Sequence, residues 1–388
     1  MPTVYHLLGL HMHQPPGNLQ FLLDNNEWEA RQIILCYDRP LKYARRYADV
    51  GHFCVGFSGI LLEQLQDPEI VKRYAGVVDI PKMLETYRQT PNIEIVGMGY
   101  YHPIFPLIPT DDWDDQIERG KKKIVEVFGQ EPKTFWPPEM AFSKEMIPAL
   151  ARHGYERVII DSVHVKPKEA MDPEQVMYRA HVAEYGAAKI TVIPRDRDLS
   201  NAQESGLDPA WFDNEVRNKT ARATQPCLVT TWTDGENGGW FRQMDEAAGF
   251  WGHFFAPYME RVRSNQMTIR PIALSQFLAE NPPQGLVDVQ TGAWNVGSTS
   301  GYDFSQWAGS ESQRKALQAI WQLSRSYHEC ARSLSANRPG ILDPVLRRAQ
   351  EGLLRAETSC YLFWGDAWIP KLYDEVRATE QLLGQVKR

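Results

Sequence analysis

The chain has 388 residues, of which 43% are apolar and 23% charged, which is enough for one large α/β domain with an appendage or for two domains. Its formal net charge of -7 argues against nucleic acid or an anionic membrane as a partner, because binding to phosphate relies on clustered Lys and Arg. We therefore expect a neutral or cationic ligand.

The sequence carries no sign of a membrane or secreted protein. No apolar run approaches the roughly 18 residues that a membrane-spanning helix needs, and the segment Met1–Pro16 lacks the basic start of a signal peptide. The five cysteines lie far apart and form no CxxC pair, which predicts buried thiols rather than disulfides or a thiolate zinc site. We expect a cytoplasmic location.

Short apolar runs that end in polar loops predict seven strands along the first 270 or so residues. Helical patterns occupy most of the gaps between them, and this alternation is typical of a parallel α/β sheet or barrel. The predicted strands are Val4–Leu10, His52–Ser58, Ile93–Gly97, Thr134–Trp136, Arg157–Asp161, Lys189–Pro194 and Leu228–Trp232.

Helices are predicted both between the strands and beyond them. Ala30–Asp49 has helical spacing, with Pro40 expected to start a new helix, and Ser143 is the expected N-cap of a helix that ends at Gly154. The alternation of strand and helix patterns breaks at Pro282, Pro283 and Gly285, and long helical patterns follow. We therefore predict a catalytic domain over residues 1–285 and a helical domain over residues 286–388. The predicted C-terminal helices are Ser310–Leu334, Asp343–Glu357 and Tyr373–Val386.

Polar and aromatic side chains follow the predicted strands, where parallel α/β domains build their sites. Glu94 lies inside the third strand, where a charge is unexpected. The residues at strand ends are His11, His13 and Gln14 after the first strand, His102 after the third, Trp136 and Glu139 after the fourth, and Trp232, Asp234, Glu236 and Trp240 at or after the seventh.

Glu139 and Asp234 are the two carboxylates with the most unusual settings. Glu139 follows Pro137 and Pro138, which stiffen the chain as it leaves a strand, although a surface glutamate at a helix start has the same pattern. Asp234 begins a glycine-rich segment and is by itself equally typical of an Asp-Gly turn. Together on one rim, with tryptophans beside each, they match the carboxyl pair that glycoside hydrolysis requires.

His11 and His13 lie two residues apart at a strand end and therefore face the same side. Such a pair can bind a metal ion or can hold ligand hydroxyl groups. The other histidines form no HExxH motif and no second HxH pair, so sugar binding is the better interpretation. No metal or cofactor is expected.

Taken together, these segments resemble glycoside hydrolase family 57, an α-glucan-active family, over nearly the whole chain. The resemblance implies an incomplete seven-stranded (β/α)7 barrel followed by a C-terminal helical domain. It rests on HMHQP at 11–15, IEIVGMGYYHPIFPLIP at 93–109, FWPPEMAF at 135–142, TTWTDGENGGW at 230–240 and, less sharply defined, TSCYLFWGDAW at 358–368.

The resemblance also implies roles for individual residues. Glu139 would be the nucleophile and Asp234 the general acid/base of a retaining mechanism, with carboxyl groups about 5 to 5.5 Å apart. Glu139 would be ionised and Asp234 protonated in the free enzyme. His11 and His13 would hold hydroxyl groups at the cleaved unit, with Glu94 beneath it.

Tryptophans supply further candidates for binding sugar rings. Trp136, Trp232 and Trp240 are candidates beside the two carboxylates, and each is equally typical of core. Trp294, Trp307 and Trp364 are candidates on the acceptor side, with the core of the helical region as the alternative.

The expected activity is hydrolysis or transglycosylation of α-1,4-glucans or maltooligosaccharides. His102 stands where several family members have Glu, and the chain lacks the long insertions of many relatives, so specificity is left open. The alternatives are a branching enzyme, a metal-dependent deacetylase or amidohydrolase using His11 and His13, and a catalytically silent glucan-binding protein.

Overall fold

A computed structural model describes residues 2–204, 208–236, 246–294, 303–337 and 344–386. The strands are β1 (Val4–Met12), β2 (Phe53–Phe57), β3 (Ile93–Val96), β4 (Thr134–Phe135), β5 (Arg157–Asp161), β6 (Val165–Pro167), β7 (His181–Tyr185), β8 (Ala188–Arg195), β9 (Cys227–Asp234), β10 (Ile269–Pro271) and β11 (Leu286–Val289).

The helices alternate with the strands in the first part of the chain and dominate its end. They are α1 (Asn18–Asn25), α2 (Glu27–Arg46), α3 (Gly59–Gln66), α4 (Pro68–Tyr74), α5 (Ile80–Gln89), α6 (Trp113–Phe128), α7 (Ile147–Arg152), α8 (Pro173–Met177), α9 (Arg197–Glu204), α10 (Pro209–Lys219), α11 (Ala256–Arg263), α12 (Leu274–Glu280), α13 (Ser305–Ala308), α14 (Glu311–Asn337), α15 (Pro344–Ala356), α16 (Ser359–Phe363) and α17 (Ile369–Val386). None of these helices combines the length and the apolar character that crossing a bilayer requires.

In the described part of the chain, seven strands form a parallel barrel in the order β9-β1-β2-β3-β4-β5-β8. Between β3 and β4 the pairing is reduced to a bridge, in which Gly97 N donates to Thr134 O and Trp136 N donates to Gly97 O. Between β8 and β9 the pairing consists of one backbone hydrogen bond among those described, in which Asp196 N donates to Thr230 O at 2.8 Å. The predicted α/β fold, an incomplete seven-stranded barrel with a helical region after it, is confirmed.

The central strand β1 sets the register of the catalytic rim. Its residues are buried almost throughout because both faces of a barrel strand are covered. β1 and β9 pair along their length, which places His11 directly opposite Asp234. Gly9 is required in this pair, because a Cβ at that position would overlap the ring of Trp232.

Four strands were not predicted. β7 runs antiparallel to β8, β11 pairs with β6 and β7, and β10 pairs with the start of β1. Most are only three to five residues long, so too few residues are present to reveal a period. The division at residues 285/286 stays a prediction, and β11 immediately after it still belongs to the sheet that contains β5 and β8.

Two predicted helix starts are wrong. α2 runs without interruption through Pro40, because Ile33, Tyr37 and Ala44 bury one face of the helix on the barrel. This packing outweighs the cost of about 3 kcal/mol for an interior proline. The second error is Ser143, which makes no side-chain cap, since the chain there forms a 3-10 turn before α7 begins at Ile147.

The C-terminal helices pack together and against the loop that follows β3. Gly352 of α15 lies so close to Thr379 of α17 that a Cβ at 352 would overlap the threonine hydroxyl. Thr358 bridges to Pro103, and Ser359 N donates to His102 O at 3.1 Å. The helical region is therefore joined to a barrel loop that also carries a predicted site residue.

A buried acidic group stabilises this contact. His328 Nε2 of α14 lies 2.7 Å from Asp112 Oδ1, and Asp112 is 1% exposed. The hydrogen bond to Asp112 raises the pKa of His328. Because the folded-state pKa lies above the unfolded one, the stabilisation is complete below the ordinary pKa of histidine and is lost as the pH rises through the raised value.

We expect a His328→Gln variant to lose stability in a pH-dependent way. The difference in urea unfolding midpoint between wild type and variant should be larger at pH 6 than at pH 9, because the wild type loses the charged pair as the pH rises. The exposed His253, changed to Gln, is the matched control and should show no such trend. A difference that stays constant over this range would contradict the pairing.

Candidate active site

A pocket of about 340 Å³ opens at the C-terminal ends of the barrel strands. Loops after β1, β3, β4 and β9 supply its floor, and the helical region supplies one wall. It is lined by His11, His13, Gln14, Pro15, Asn18, Phe21, Leu22, Glu29, Ile33, His102, Glu139, Asp234, Glu236, Cys360, Trp364 and Trp368. Volume alone does not select this pocket, since a depression of 790 Å³ lies beside Arg46 and Glu260, whose charges pair with each other.

Glu139 has an unusual backbone conformation. Its φ and ψ are 56° and 21°, and Met140 also has a positive φ. Among the described residues only four that are not glycine have positive φ, and His102 is another of them. Such conformations are costly and persist where the surroundings impose them, often at functional sites. The turn after Pro137 and Pro138 thus fixes the direction of the Glu139 side chain.

Residues 292–294, which follow β11, stabilise this conformation by pairing with the segment 139–142. Phe142 and Gly292 form an antiparallel bridge, and Trp294 N donates to Glu139 O at 3.0 Å. The indole Nε1 of Trp294 also donates to Glu139 Oε2 at 2.7 Å. One tryptophan therefore holds both the main chain and the carboxylate of Glu139.

The surroundings of Glu139 favour its neutral form. Burial and the nearby charge of Asp234 raise the pKa of Glu139 to about 8, and the Trp294 hydrogen bond opposes this rise. We expected Glu139 to be ionised, and its burial and the charge of Asp234 both oppose that ionisation. The two carboxyl groups therefore interact electrostatically.

Asp234 and Glu139 both lie beside His11. Nε2 of His11 is 3.1 Å from Asp234 Oδ1, and a ring nitrogen of His11 lies within 4.8 Å of a Glu139 oxygen. Burial lowers the pKa of His11, although the charge of Asp234 opposes this effect. The imidazole of His11 is therefore close to both carboxyl groups.

Glu236 is a third carboxyl group at this rim, and it is 5% exposed. Tyr37 Oη donates to its Oε1 at 2.7 Å, and the backbone N–H of His13 donates to the same oxygen at 3.3 Å. Burial, followed by the charge of Asp234, raises the pKa of Glu236 to about 7. Gln14 lies within 3.5 Å of Glu236, so this group supports the loop after β1.

His13 and His102 stack with ring centroids 3.9 Å apart. Nδ1 of His13 lies 2.8 Å from Ser58 Oγ and its Nε2 lies 3.3 Å from Cys360 Sγ, so protein atoms engage both ring nitrogens. His102 Nδ1 lies 2.8 Å from Ser359 Oγ. Nε2 of His102 and Nδ1 of His11 are buried and have no partner among the described residues, so they are the nitrogens open to a ligand.

Aromatic side chains form the mouth of the pocket. Trp364 is 53% exposed and Phe21 is 52% exposed. Lys371 lies 3.7 Å above the ring of Trp368 and 5.5 Å from that of Phe21. This combination of flat apolar faces with polar edges is suited to a sugar chain.

The other predicted aromatic residues lie deeper. Trp136 and Trp232 are fully buried and stack on each other at 4.8 Å, and Trp136 also stacks on His11. They support His11 from beneath and expose no face to the pocket. Trp307 is fully buried in the helical region, which matches the core alternative. Trp240 lies outside the described residues.

Glu94 lies away from the pocket. Its Oε2 accepts hydrogen bonds from the N–H and Oγ of Ser275, and its Oε1 is 3.6 Å from Arg157. Glu94 is near the start of β3, at the opposite end of the strand from the loop that carries His102. It therefore joins β3 to α12 and β5 rather than contacting a ligand.

Sequence reasoning did not identify Arg195, Asp161 or Cys360. Arg195 is 3% exposed, its Nη1 lies 3.2 Å from Asp161 Oδ2, and its guanidinium lies 5.4 Å from the Trp294 ring. Asp161 ends a predicted strand and Arg195 directly follows another, which is the signal that could have identified them. Cys360 offered no such signal, because its position depends on the packing of the helical region. Burial raises the pKa of its thiol, so Cys360 remains protonated.

One group of residues has the composition of a metal site. Ligand atoms of His11, His102 and Glu139 all lie within 4.8 Å of one another. Glu139 Oε2 already accepts from Trp294, and His11 Nε2 lies 3.1 Å from Asp234 Oδ1. The same donors serve hydroxyl groups of a sugar equally well, so composition alone does not distinguish the two uses.

A family model described as "Glycosyl hydrolase family 57" matches residues 29–290. Among curated relatives, alpha-amylase 1 of Dictyoglomus thermophilum is 24% identical over 304 residues, which is 75% of this chain and 40% of the relative. The 4-alpha-glucanotransferase of Thermococcus kodakarensis is 24% identical over 318 residues, which is 79% of this chain and 43% of the relative. The chain thus spans less than half the length of these relatives.

The solved structures that it matches show the same fold. A branching enzyme from Thermococcus kodakaraensis superposes with a TM-score of 0.76 and 15% identity, covering 97% of this chain and 90% of the other. At this level of identity the likeness concerns the fold alone.

Two substitutions should move the pKa of Glu139 in opposite directions. Asp234→Asn removes the charge that raises it, so the pKa should fall below about 8, whereas Trp294→Phe removes the opposing donor, so the pKa should rise. Carboxyl NMR of protein with 13C-labelled glutamate measures both, with Glu139→Gln to assign the signal. Trp211→Phe, at an exposed site, is the matched control. Shifts of the same sign in both variants would contradict the coupling described above.

Proposed function

Because this chain belongs to glycosyl hydrolase family 57, we propose that it is a retaining hydrolase or transglycosylase acting on α-1,4-glucans or maltooligosaccharides. The single observation that carries the proposal is that Glu139 and Asp234 both lie beside His11 in one pocket. The substrate class is supported by the relatives described as an alpha-amylase and a 4-alpha-glucanotransferase.

In the proposed mechanism Glu139 attacks the anomeric carbon and forms a covalent glycosyl-enzyme. Asp234 protonates the departing oxygen and then deprotonates water or an acceptor hydroxyl group. A side-chain separation of about 5 to 5.5 Å is expected for such a pair. The fixed backbone of Glu139 supports the role of nucleophile, because a rigid carboxylate is already oriented for attack.

The pair needs one proton, and it needs that proton on Asp234 when bond cleavage begins. Burial and the charge of Asp234 raise the pKa of Glu139, which opposes its ionisation. Positive charge develops on the sugar ring in the transition state and favours ionised Glu139, as does the N–H of Trp294. The transition state thus favours the form of Glu139 that the proposed mechanism requires.

The acceptor decides between hydrolysis and transfer. Transfer requires a sugar to be held at the mouth while water is excluded. Trp364 and Trp368 have suitable positions to bind such a sugar. A branching reaction needs the same surface to present a 6-hydroxyl group, so the three outcomes share one catalytic pair and differ in how the acceptor is held.

Incubation with maltoheptaose followed by chromatography of the products tests the proposal. We expect shorter maltooligosaccharides in any case, and longer ones in addition if a sugar is the acceptor. Glu139→Gln and Asp234→Asn should each lower kcat/KM by about a thousandfold or more, because the two groups act as a unit. Ser143→Ala is a suitable control near Glu139, since its side chain makes no cap. Turnover that survives both catalytic substitutions would overturn the proposal.

The second candidate is a metal-dependent hydrolase, which the grouping of His11, His102 and Glu139 favours. A divalent ion bound by this set would activate water in place of the nucleophile.

Dialysis against EDTA separates the two candidates. We expect maltoheptaose conversion to be unchanged by EDTA and by added Zn²⁺ at stoichiometric concentration, because neither step of the proposed mechanism uses an ion. The dialysed protein should also contain no metal by elemental analysis. Loss of activity on dialysis, with recovery on adding Zn²⁺, would favour the metal-dependent reaction instead.

A further inference from the structure

A second groove lies outside the catalytic pocket, between the loop Pro106–Asp111 and one face of α14. Its volume is about 740 Å³, larger than that of the catalytic pocket. We call it the Trp321 groove, after the residue at its centre. From Arg314 to Arg325 the lining residues recur every three or four positions, so they form one stripe about 17 Å long at 1.5 Å per residue.

Trp321 forms a fixed and accessible flat surface in this groove. It is 45% exposed, so a face of the indole is accessible to a ligand. Its Nε1 donates to Leu107 O at 2.8 Å, so the ring edge is attached to the opposite wall. This bond satisfies the polar edge of the indole and fixes the ring orientation, so that a ligand stacking on it loses little side-chain entropy.

Hydrogen-bonding groups surround this ring. Gln318 and Gln322 lie one turn apart beside Trp321, both are exposed, and neither has a hydrogen-bond partner among the described residues. The charged residues of the lining are Asp111, Arg314 and Arg325, and the Arg314 guanidinium donates to two backbone carbonyl oxygens. A flat ring flanked by amides and by charges of both signs matches a neutral polyhydroxylated ligand, whereas a phosphate would require a cluster of cations.

The loop wall of the groove is held in place by the barrel and by α14. It is held by Asp112, which pairs with His328 of α14, and by Trp113, whose Nε1 donates to Phe105 O at 2.9 Å. His102, which lines the catalytic pocket, lies five residues before Leu107 in the same connection between β3 and α6. The groove and the catalytic pocket thus share one barrel connection.

We propose that the Trp321 groove is a second binding site for α-glucan chains, separate from the catalytic pocket, that holds polymeric substrate on the enzyme. The proposal rests on the proposed function for its ligand class. The site increases the local concentration of polymer at the catalytic pocket and does not take part in the reaction. Short oligosaccharides reach the catalytic pocket without it.

The test compares polymer binding with turnover of a short substrate. In native gels containing soluble amylose, Trp321→Ala should migrate with less retardation, corresponding to an apparent Kd raised by about two- to tenfold for one lost aromatic platform. Its kcat/KM for maltoheptaose should equal that of the wild type. Trp211→Ala, which is also 45% exposed but lies on α10, is the matched control and should change neither quantity. Trp364→Ala at the catalytic mouth should weaken both.

Two results would overturn the proposal. One is amylose binding by Trp321→Ala that equals the wild type. The other is a change in apparent size on gel filtration caused by Trp321→Ala, which would make the groove a contact between copies of the chain. The proposed catalytic function is tested separately. Trp321-dependent retardation without turnover of maltoheptaose would reject the catalytic proposal alone, and turnover without such retardation would reject only the second site.

Discussion

The structure around the pocket is constrained by the burial of several carboxyl groups close to one another. Glu139 and Glu236 are largely buried, and burial together with the charge of Asp234 raises the free energy of ionising both. Such an arrangement is stable only where donors or protons compensate the charge. Trp294, Tyr37 and the backbone N–H of His13 are those donors. Much of the surrounding structure positions these three groups.

The strain at Glu139 is part of the same constraint. A non-glycine residue with φ of 56° persists only where surrounding contacts stabilise that conformation. The contacts here are the bridge between Phe142 and Gly292 and the two hydrogen bonds from Trp294 to Glu139. Arg195 and Trp136 also contact the Trp294 ring. The orientation of the Glu139 carboxylate thus depends on β8 and on the segments after β4 and β11. A change at Arg195 or Trp136 acts on Glu139 through Trp294.

The helical region contributes chemistry as well as support. Ser359 and Cys360 contact His102 and His13, which ties the first turn of α16 to two histidines of the barrel. The loop after β3 is shared between these contacts and the Trp321 groove. Its rigidity, provided partly by the Asp112–His328 pair, therefore affects both the catalytic pocket and the groove.

The sequence by itself determined the seven barrel strands, the order of strands and helices, and the two carboxylates at strand ends. These features rest on local patterns: apolar runs of five to nine residues such as Phe53–Phe57 and Val4–Met12, and polar residues directly after them. Pro40 is the opposite case, since local preference predicted a helix start and burial of Tyr37 and Ile33 overrode it. Short strands such as β6 and β10 lack the length to show a period.

Only the tertiary structure decided which residues share the pocket and in which direction the pKa of Glu139 is shifted. The sequence made both Trp136 and Trp294 candidates for binding sugar. In the structure Trp136 stacks on His11, whereas Trp294 donates to Glu139, a residue 155 positions away in the chain. Local sequence could not predict that contact. Glu94 lies in the predicted strand, but at the end of that strand away from the pocket, where it pairs with Arg157. The pKa of Glu139 follows from burial and from Asp234, which approaches only when β9 pairs with β1. Local sequence determines elements, whereas desolvation and charge coupling depend on distances between elements, and those distances exist only in the folded chain.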